Sequence, residues 1–137
     1  MTANEKWKAT AKAMPPAVHW RSSLFGAFAA AKAYVCIDWL DACVATMNSN
    51  KELIANQIQS KLPAIGYRAP DASYVAWLDL SKLNLGEEPS ATLLEKGKVA
   101  LNPGKTFCPD HSQFVRLNFG TGPEIIVEAF DRISKAV

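Results

Sequence analysis

The sequence predicts an α+β fold: a small sheet of three or four strands, covered by helices and preceded by a long helix. Two runs are typical of strands, because aromatic and aliphatic residues are bounded by turn residues over Tyr74–Leu80 and Phe114–Phe119. Residues 24–47 carry apolar side chains at spacings of three and four, which is the helical period. Helices predicted over 51–62 and 123–135 should cover one face of the sheet.

The N-terminal part of the chain is predicted to be helical, with its breaks set by proline and polar residues. Residues 1–14 are rich in lysine and alanine and form a short helix that Pro15 ends. Either Ser22 or Ser23 can cap the helix that runs from Leu24 to Met47, because a serine hydroxyl accepts a bond from a free amide of the first turn.

Polar and turn residues then mark the middle of the chain. Asn48-Ser49-Asn50 should end the long helix and cap the helix over 51–62, which Pro63 stops. A short strand is predicted over 65–68. The turn at Pro70-Asp71 leads into the strand Tyr74–Leu80.

The C-terminal part alternates helix and strand. Ser90 is the predicted cap of a helix over 91–97, and a short strand follows over Val99–Leu101. Asn102-Pro103-Gly104 is predicted to be a turn. Pro123 should occupy the first turn of the last helix, where a missing amide hydrogen does no harm.

Composition and charge exclude several functional classes. A net charge of +2 without a basic stripe argues against nucleic-acid binding. No apolar run reaches membrane length, and no signal core precedes Pro15. The three cysteines, Cys36, Cys43 and Cys108, are an odd number without metal-ligand spacing. We therefore expect a reduced, cytoplasmic protein without a metal site.

Three segments carry a family resemblance. In chain order they are Ala72–Asp79 (ASYVAWLD), Val99–Phe107 (VALNPGKTF) and Phe114–Asn118 (FVRLN), with Ala33-Tyr34 and Trp39-Leu40-Asp41 upstream. Together they resemble the C-terminal portion of fold-type I pyridoxal-phosphate-dependent enzymes. The similarity is to the cystathionine β-lyase-like (C–S lyase) branch of the class I/II aminotransferase family, and it covers nearly the whole chain. Cys108 departs from the glycine that is usual there.

The resemblance implies that residues 48–137 form the C-terminal small domain of the aminotransferase fold. Residues 1–47 would be a remnant of the large domain and the long connecting helix. The intact enzyme would use pyridoxal phosphate as the electron sink of a C–S β-lyase or an aminotransferase. The branch similarity favours the lyase.

The cofactor lysine of the family is missing from this sequence. It lies in a Ser/Thr-x-x-Lys element, and no serine or threonine of this chain has lysine three residues later. The resemblance therefore implies a missing N-terminal large domain that carries the lysine and the phosphate site. We expect no cofactor and no turnover on this chain alone.

Arg116 is the main candidate site residue. In an extended strand Phe114, Arg116 and Asn118 share one face, and the apolar alternate residues face the core. The planar guanidinium of arginine matches a carboxylate in two parallel hydrogen bonds. Spacing alone favours a surface salt bridge for this residue instead. The resemblance implies that Arg116 binds the α-carboxylate of an amino-acid substrate in the intact enzyme.

Other aromatic and basic residues are weaker candidates. The resemblance implies that Tyr74 lines the substrate pocket, although a strand aromatic is equally compatible with the core. Trp77 is predicted to lie in the core. The resemblance also places His19 or Arg21 near an active site across a dimer interface, whereas composition alone indicates a solvated connector. His111 is predicted to be a loop residue.

Two functions remain open from the sequence. The chain can be the C-terminal fragment of a pyridoxal-phosphate enzyme, or a free-standing, non-catalytic interaction module or inactive truncated product. Trp20, Phe25 and Phe28 are apolar residues expected to contact the missing domain or a second subunit, so that a homodimer is predicted.

Overall fold

A computed structural model describes residues 4–16 and 23–137 of the chain. The chain divides into two compact units, Met1–Asp41 and Ala42–Val137. The predicted α+β class is confirmed: the described residues contain five α-helices and a four-stranded sheet.

The described residues of the first unit are mainly helical. Helix α1 spans Glu5–Ala13 and helix α2 spans Leu24–Ala33. Ser23 caps α2 as predicted, because its Oγ accepts a hydrogen bond from the Gly26 amide at 3.1 Å. Trp20 and Ser22 lie outside the described residues, as do His19 and Arg21.

The predicted single helix from Leu24 to Met47 is wrong at two places. Helix α2 ends at Ala33, and the next helix, α3, spans Ile37–Lys61. The amides of Val35 and Cys36 bond three residues back, which tightens the chain into a turn between the helices. A break of about one turn hardly disturbs an apolar repeat of three and four, so the sequence pattern does not reveal it.

The second correction concerns Asn48-Ser49-Asn50, through which α3 continues without ending. Asn50 is 2% exposed, and its Nδ2 donates to the carbonyl oxygens of Phe119 and Thr121, both at 2.9 Å. These tertiary bonds satisfy the side-chain amide within a helix, and the capping preference of asparagine is overridden. The predicted stop is confirmed, since α3 ends at Lys61, just before Pro63.

The sheet is antiparallel throughout, in the order β1-β2-β4-β3. Its strands are β1 Gly66–Tyr67, β2 Val75–Asp79, β3 Asn102–Pro103 and β4 Phe114–Asn118. The predicted short strand at Val99–Leu101 is wrong: pairing with β4 begins at Asn102, within the predicted turn. Pro103 is tolerated there because β3 is an edge strand.

Two further helices follow the strands. Helix α4 spans Pro89–Gly97, with Pro89 at its first position and Glu88 before it, so the predicted Ser90 cap is wrong. Proline suits this position because its missing amide hydrogen would have no partner in the first turn. Helix α5 spans Pro123–Ala136 and begins at Pro123 as predicted.

The hydrophobic core lies between the helices and one face of the sheet. Alternate strand residues point into it, such as Ala76 and Leu78 of β2 and Val115 and Leu117 of β4. The predicted cover by two helices is confirmed, and α4 adds Leu93. The helical members of the core are Ile54, Ile58, Leu93, Ile126, Phe130, Ile133 and Ala136. The described helices of the second unit contribute their buried side chains to this core, on one face of the sheet.

Asn50 is expected to be a strong stability determinant. Asn50→Ala would leave the carbonyl oxygens of Phe119 and Thr121 without their buried donor, and we expect a loss of about 2–3 kcal/mol in the free energy of unfolding. Asn48→Ala is the matched control, because Asn48 lies on the same helix but is exposed. Equal unfolding midpoints in urea for the two variants would contradict this role.

Candidate functional site

Arg116 lies at the centre of β4, an inner strand that pairs with β2 and β3. Its Cα pairs with Trp77 on one side and with Asn102 on the other. The neighbouring residues Val115 and Leu117 are buried in the core. Since successive side chains of a strand alternate between faces, Arg116 is on the face opposite to the helices, as predicted.

The Arg116 guanidinium is held by uncharged groups. Nη2 donates to Asn102 Oδ1 at 3.2 Å, and Cζ lies 4.5 Å from the centroid of the Phe107 ring. Nε is buried and has no hydrogen-bond partner. No carboxylate of the described residues pairs with this guanidinium. Its positive charge is therefore available to an anion from elsewhere.

An aromatic cluster continues from Arg116 across the same face. The Trp77 ring stacks on Phe114 at 5.8 Å and meets Phe107 and His111 edge-on at 5.7 and 5.8 Å. The predicted core position of Trp77 is wrong, because Ala76 and Leu78 take the core positions of β2 and leave Trp77 on the other face. His111 belongs to a loop as predicted, but its ring is part of this cluster.

Gly104 allows the loop that carries Phe107 to approach β4. A Cβ at this position would overlap the carbonyl oxygen of His111 and would lie 2.7 Å from that of Phe114. Any larger residue would push the loop away from the strand. The next residue, Lys105, pairs with Glu88 at the start of α4. The Pro-Gly pair was visible in the sequence, but this close approach was not.

The structure does not bring Tyr74 into the same cavity as Arg116. Tyr74 is 55% exposed and lines a cavity of about 320 Å³ together with α3 residues that include Cys43 and Lys51. Arg116 lines a separate cavity of about 210 Å³ with Asn102. Within the described residues, Arg116 and Tyr74 therefore do not line one common cavity.

The described residues around Arg116 do not form a complete pyridoxal-phosphate site. They supply a guanidinium and an aromatic wall, but no lysine lines the cavity that contains Arg116. Lys51 and Lys105 bond elsewhere, to the Pro70 carbonyl and to Glu88. A site for the cofactor would therefore need further residues.

Other chemistry is sparse in the part of the chain that the structure describes. No group of three or more His, Cys, Asp or Glu side chains there could hold a metal ion. None of the helices in this part is long and apolar enough to span a bilayer. Burial raises the pKa of the Tyr67 phenol, which also lacks a hydrogen-bond partner. Its hydroxyl stays neutral near pH 7 and offers no charge to a ligand.

Comparison with known proteins places the chain in a family. No protein-family model matches the chain. Cystathionine β-lyase PatB of Bacillus subtilis is 34% identical over 100 residues, 72% of this chain. A Corynebacterium diphtheriae structure, assigned as a pyridoxal-phosphate-dependent β-cystathionase, matches 100% of this chain with a TM-score of 0.87 and 32% identity. The chain belongs to the fold-type I aminotransferase family.

Within that family the chain matches the C-terminal portion of cystathionine β-lyases and related pyridoxal-phosphate enzymes, as the sequence resemblance predicted. A Clostridium difficile structure with bound pyridoxal phosphate, assigned as an aminotransferase, is 33% identical over 72% of this chain, with a TM-score of 0.68. The chain spans only part of these proteins: 26% of PatB and 37% of the Corynebacterium chain.

Proposed function

We propose that this chain is the C-terminal part of a pyridoxal-phosphate-dependent C–S β-lyase in which Arg116 binds the α-carboxylate of an amino-acid substrate. The observation that carries the proposal is the Arg116 guanidinium, which bonds to Asn102 and lies over the Phe107 ring but is paired with no carboxylate of the described residues. Such a cation on a fixed strand fits a substrate carboxylate.

The lyase is favoured over the aminotransferase by two similar proteins that are assigned as β-lyases. The Corynebacterium structure, assigned as a β-cystathionase, matches all of this chain, and PatB is a cystathionine β-lyase. The aminotransferase-like structure from Clostridium difficile matches 72% of it. In a β-lyase the cofactor stabilises the substrate carbanion so that sulfur can leave from Cβ. The contribution of Arg116 is to hold the carboxylate in place.

The remaining part of the enzyme is proposed to be an N-terminal large domain with the cofactor lysine and the phosphate site. Phe25 and Phe28, 85% and 68% exposed, are proposed to contact that domain or the second subunit of a homodimer. Tyr74 is proposed to line the substrate pocket. The three cysteines of the chain are unpaired, which fits the reducing cytoplasm.

The isolated chain is expected to be inactive towards cystathionine, with or without added pyridoxal phosphate. It offers no lysine at the Arg116 cavity, so nothing orients the cofactor against the substrate. A chimera in which this chain replaces the matching segment of PatB is expected to release the thiol homocysteine from cystathionine and to show the visible absorbance of bound cofactor.

Assays of the isolated chain and of the PatB chimera together distinguish the enzyme fragment from the non-catalytic interaction module. Turnover by the isolated chain, with cofactor bound at one lysine, would contradict the need for a second domain. A folded chimera that binds the cofactor but neither cleaves cystathionine nor transaminates amino acids would favour the non-catalytic interaction module instead.

A further inference from the structure

We propose that Asn102 is the positioning residue of Arg116, and that its lack of charge is what keeps the guanidinium available to a substrate carboxylate. This inference rests on the proposed carboxylate-binding role of Arg116 and adds a specificity element to that site. It assigns a function to a residue that sequence reasoning placed in a turn.

The pairing of β3 with β4 puts Asn102 in position. Asn102 and Arg116 are directly opposite Cα partners, and side chains so placed in an antiparallel pair share one face of the sheet. Guanidinium has donors only, so the amide of Asn102 must present its oxygen, as the 3.2 Å contact to Nη2 shows. The orientation of the asparagine is therefore dictated by its partner.

Two contacts together restrict the guanidinium. The hydrogen bond to Asn102 is made by an N–H group of the planar guanidinium. The centroid of the Phe107 ring lies 4.5 Å from the guanidinium carbon Cζ. The aromatic face attracts the cation without accepting a hydrogen bond in the plane. The donors that Asn102 does not use have no partner among the described residues, and buried Nε is one of them.

The charge of the partner decides whether Arg116 can bind an external anion. An asparagine oxygen orients the fork and leaves the net charge of Arg116 intact. An aspartate has almost the same shape, but it would form an internal ion pair and would compete with a substrate carboxylate for the same cation. Asn102→Asp therefore separates the effect of charge from the effect of shape.

The test uses the full chain and acetate as the carboxylate probe. The Arg116 Nε–Hε resonance is followed by ¹⁵N NMR while acetate replaces chloride at constant ionic strength. In the wild type the resonance is expected to shift saturably. In Asn102→Asp the apparent Kd for acetate should rise about three- to fivefold, as a new ion pair at a partly exposed site would produce. Asn102→Ala should broaden or move the free resonance.

Asn118→Asp is the matched control. It adds the same charge on the same strand face as Arg116, but its side chain accepts a bond from the Gly120 amide at 2.8 Å and forms no hydrogen bond with Arg116. Its acetate affinity should stay within about twofold of the wild type, since separated exposed charges are screened by salt.

The outcomes distinguish this inference from the proposal on which it rests. A wild-type Arg116 resonance that ignores acetate would overturn the carboxylate-binding role and this inference with it. A response that is the same in the wild type and in Asn102→Asp would overturn the inference alone. An equal loss in Asn102→Asp and Asn118→Asp would also overturn it, because general repulsion would then explain the effect.

Discussion

Replacing Arg116 with alanine in the PatB chimera is expected to lower kcat/KM for cystathionine by roughly 30- to 1000-fold. This range corresponds to about 2–4 kcal/mol for a charge-assisted pair between guanidinium and carboxylate. The absorbance of the bound cofactor should be unchanged, because Arg116 is proposed to contact the substrate carboxylate. The measurement is steady-state kinetics together with a visible spectrum of each variant.

Two further variants define the cause of the loss. Arg116→Lys keeps the positive charge but loses the planar fork, and it should retain an intermediate kcat/KM. Arg132→Ala removes an arginine that pairs with Glu128 on the surface of α5, and it should leave kcat/KM unchanged. An Arg116→Ala chimera with unaltered kcat/KM would refute the assignment of this residue.

Replacing Phe130 with alanine is expected to destabilise the second unit by about 3–5 kcal/mol, the largest stability effect predicted here. Phe130 is fully buried on α5, between the helices and the sheet. Truncation removes its apolar contacts and leaves a cavity that the surrounding side chains fill only in part. Urea unfolding should show a lower midpoint with a similar slope.

Ile125→Ala is the control for Phe130, because Ile125 lies on the same helix and is 54% exposed. Its effect on the free energy of unfolding should stay within about 1 kcal/mol. A folded Phe130→Ala chain with the midpoint of the wild type would show that α5 does not hold this unit together.

Local patterns predicted those parts of the fold in which a residue acts through its own segment. The strands β2 and β4 follow from apolar and aromatic runs between turn residues. Pro63 indicates where α3 ends, and Pro123 indicates where α5 begins. The alternation within β4 also placed Arg116 on the face away from the core. Backbone geometry and side-chain alternation are properties of a few consecutive residues, so the sequence displays them.

Pairing over long distances decided the rest. Asn50 is buried in mid-helix because carbonyl groups some 70 residues later meet its amide, at Phe119 and Thr121. A local pattern predicts a cap at this position, since it contains no information on those distant acceptors. Trp77 was likewise predicted to be in the core because its own strand does not show which face the helices cover.

For this protein, the sequence by itself determined the α+β class, the two central strands and the family resemblance, together with the candidate Arg116. Only the tertiary structure decided what surrounds that arginine. Asn102 lies opposite it on β3, Trp77 lies opposite it on β2, and Phe107 contacts it from a loop. The physical reason is that strand register and loop docking depend on the shared core, where Val115 and Leu117 pack under the helices and leave Arg116 on the opposite face.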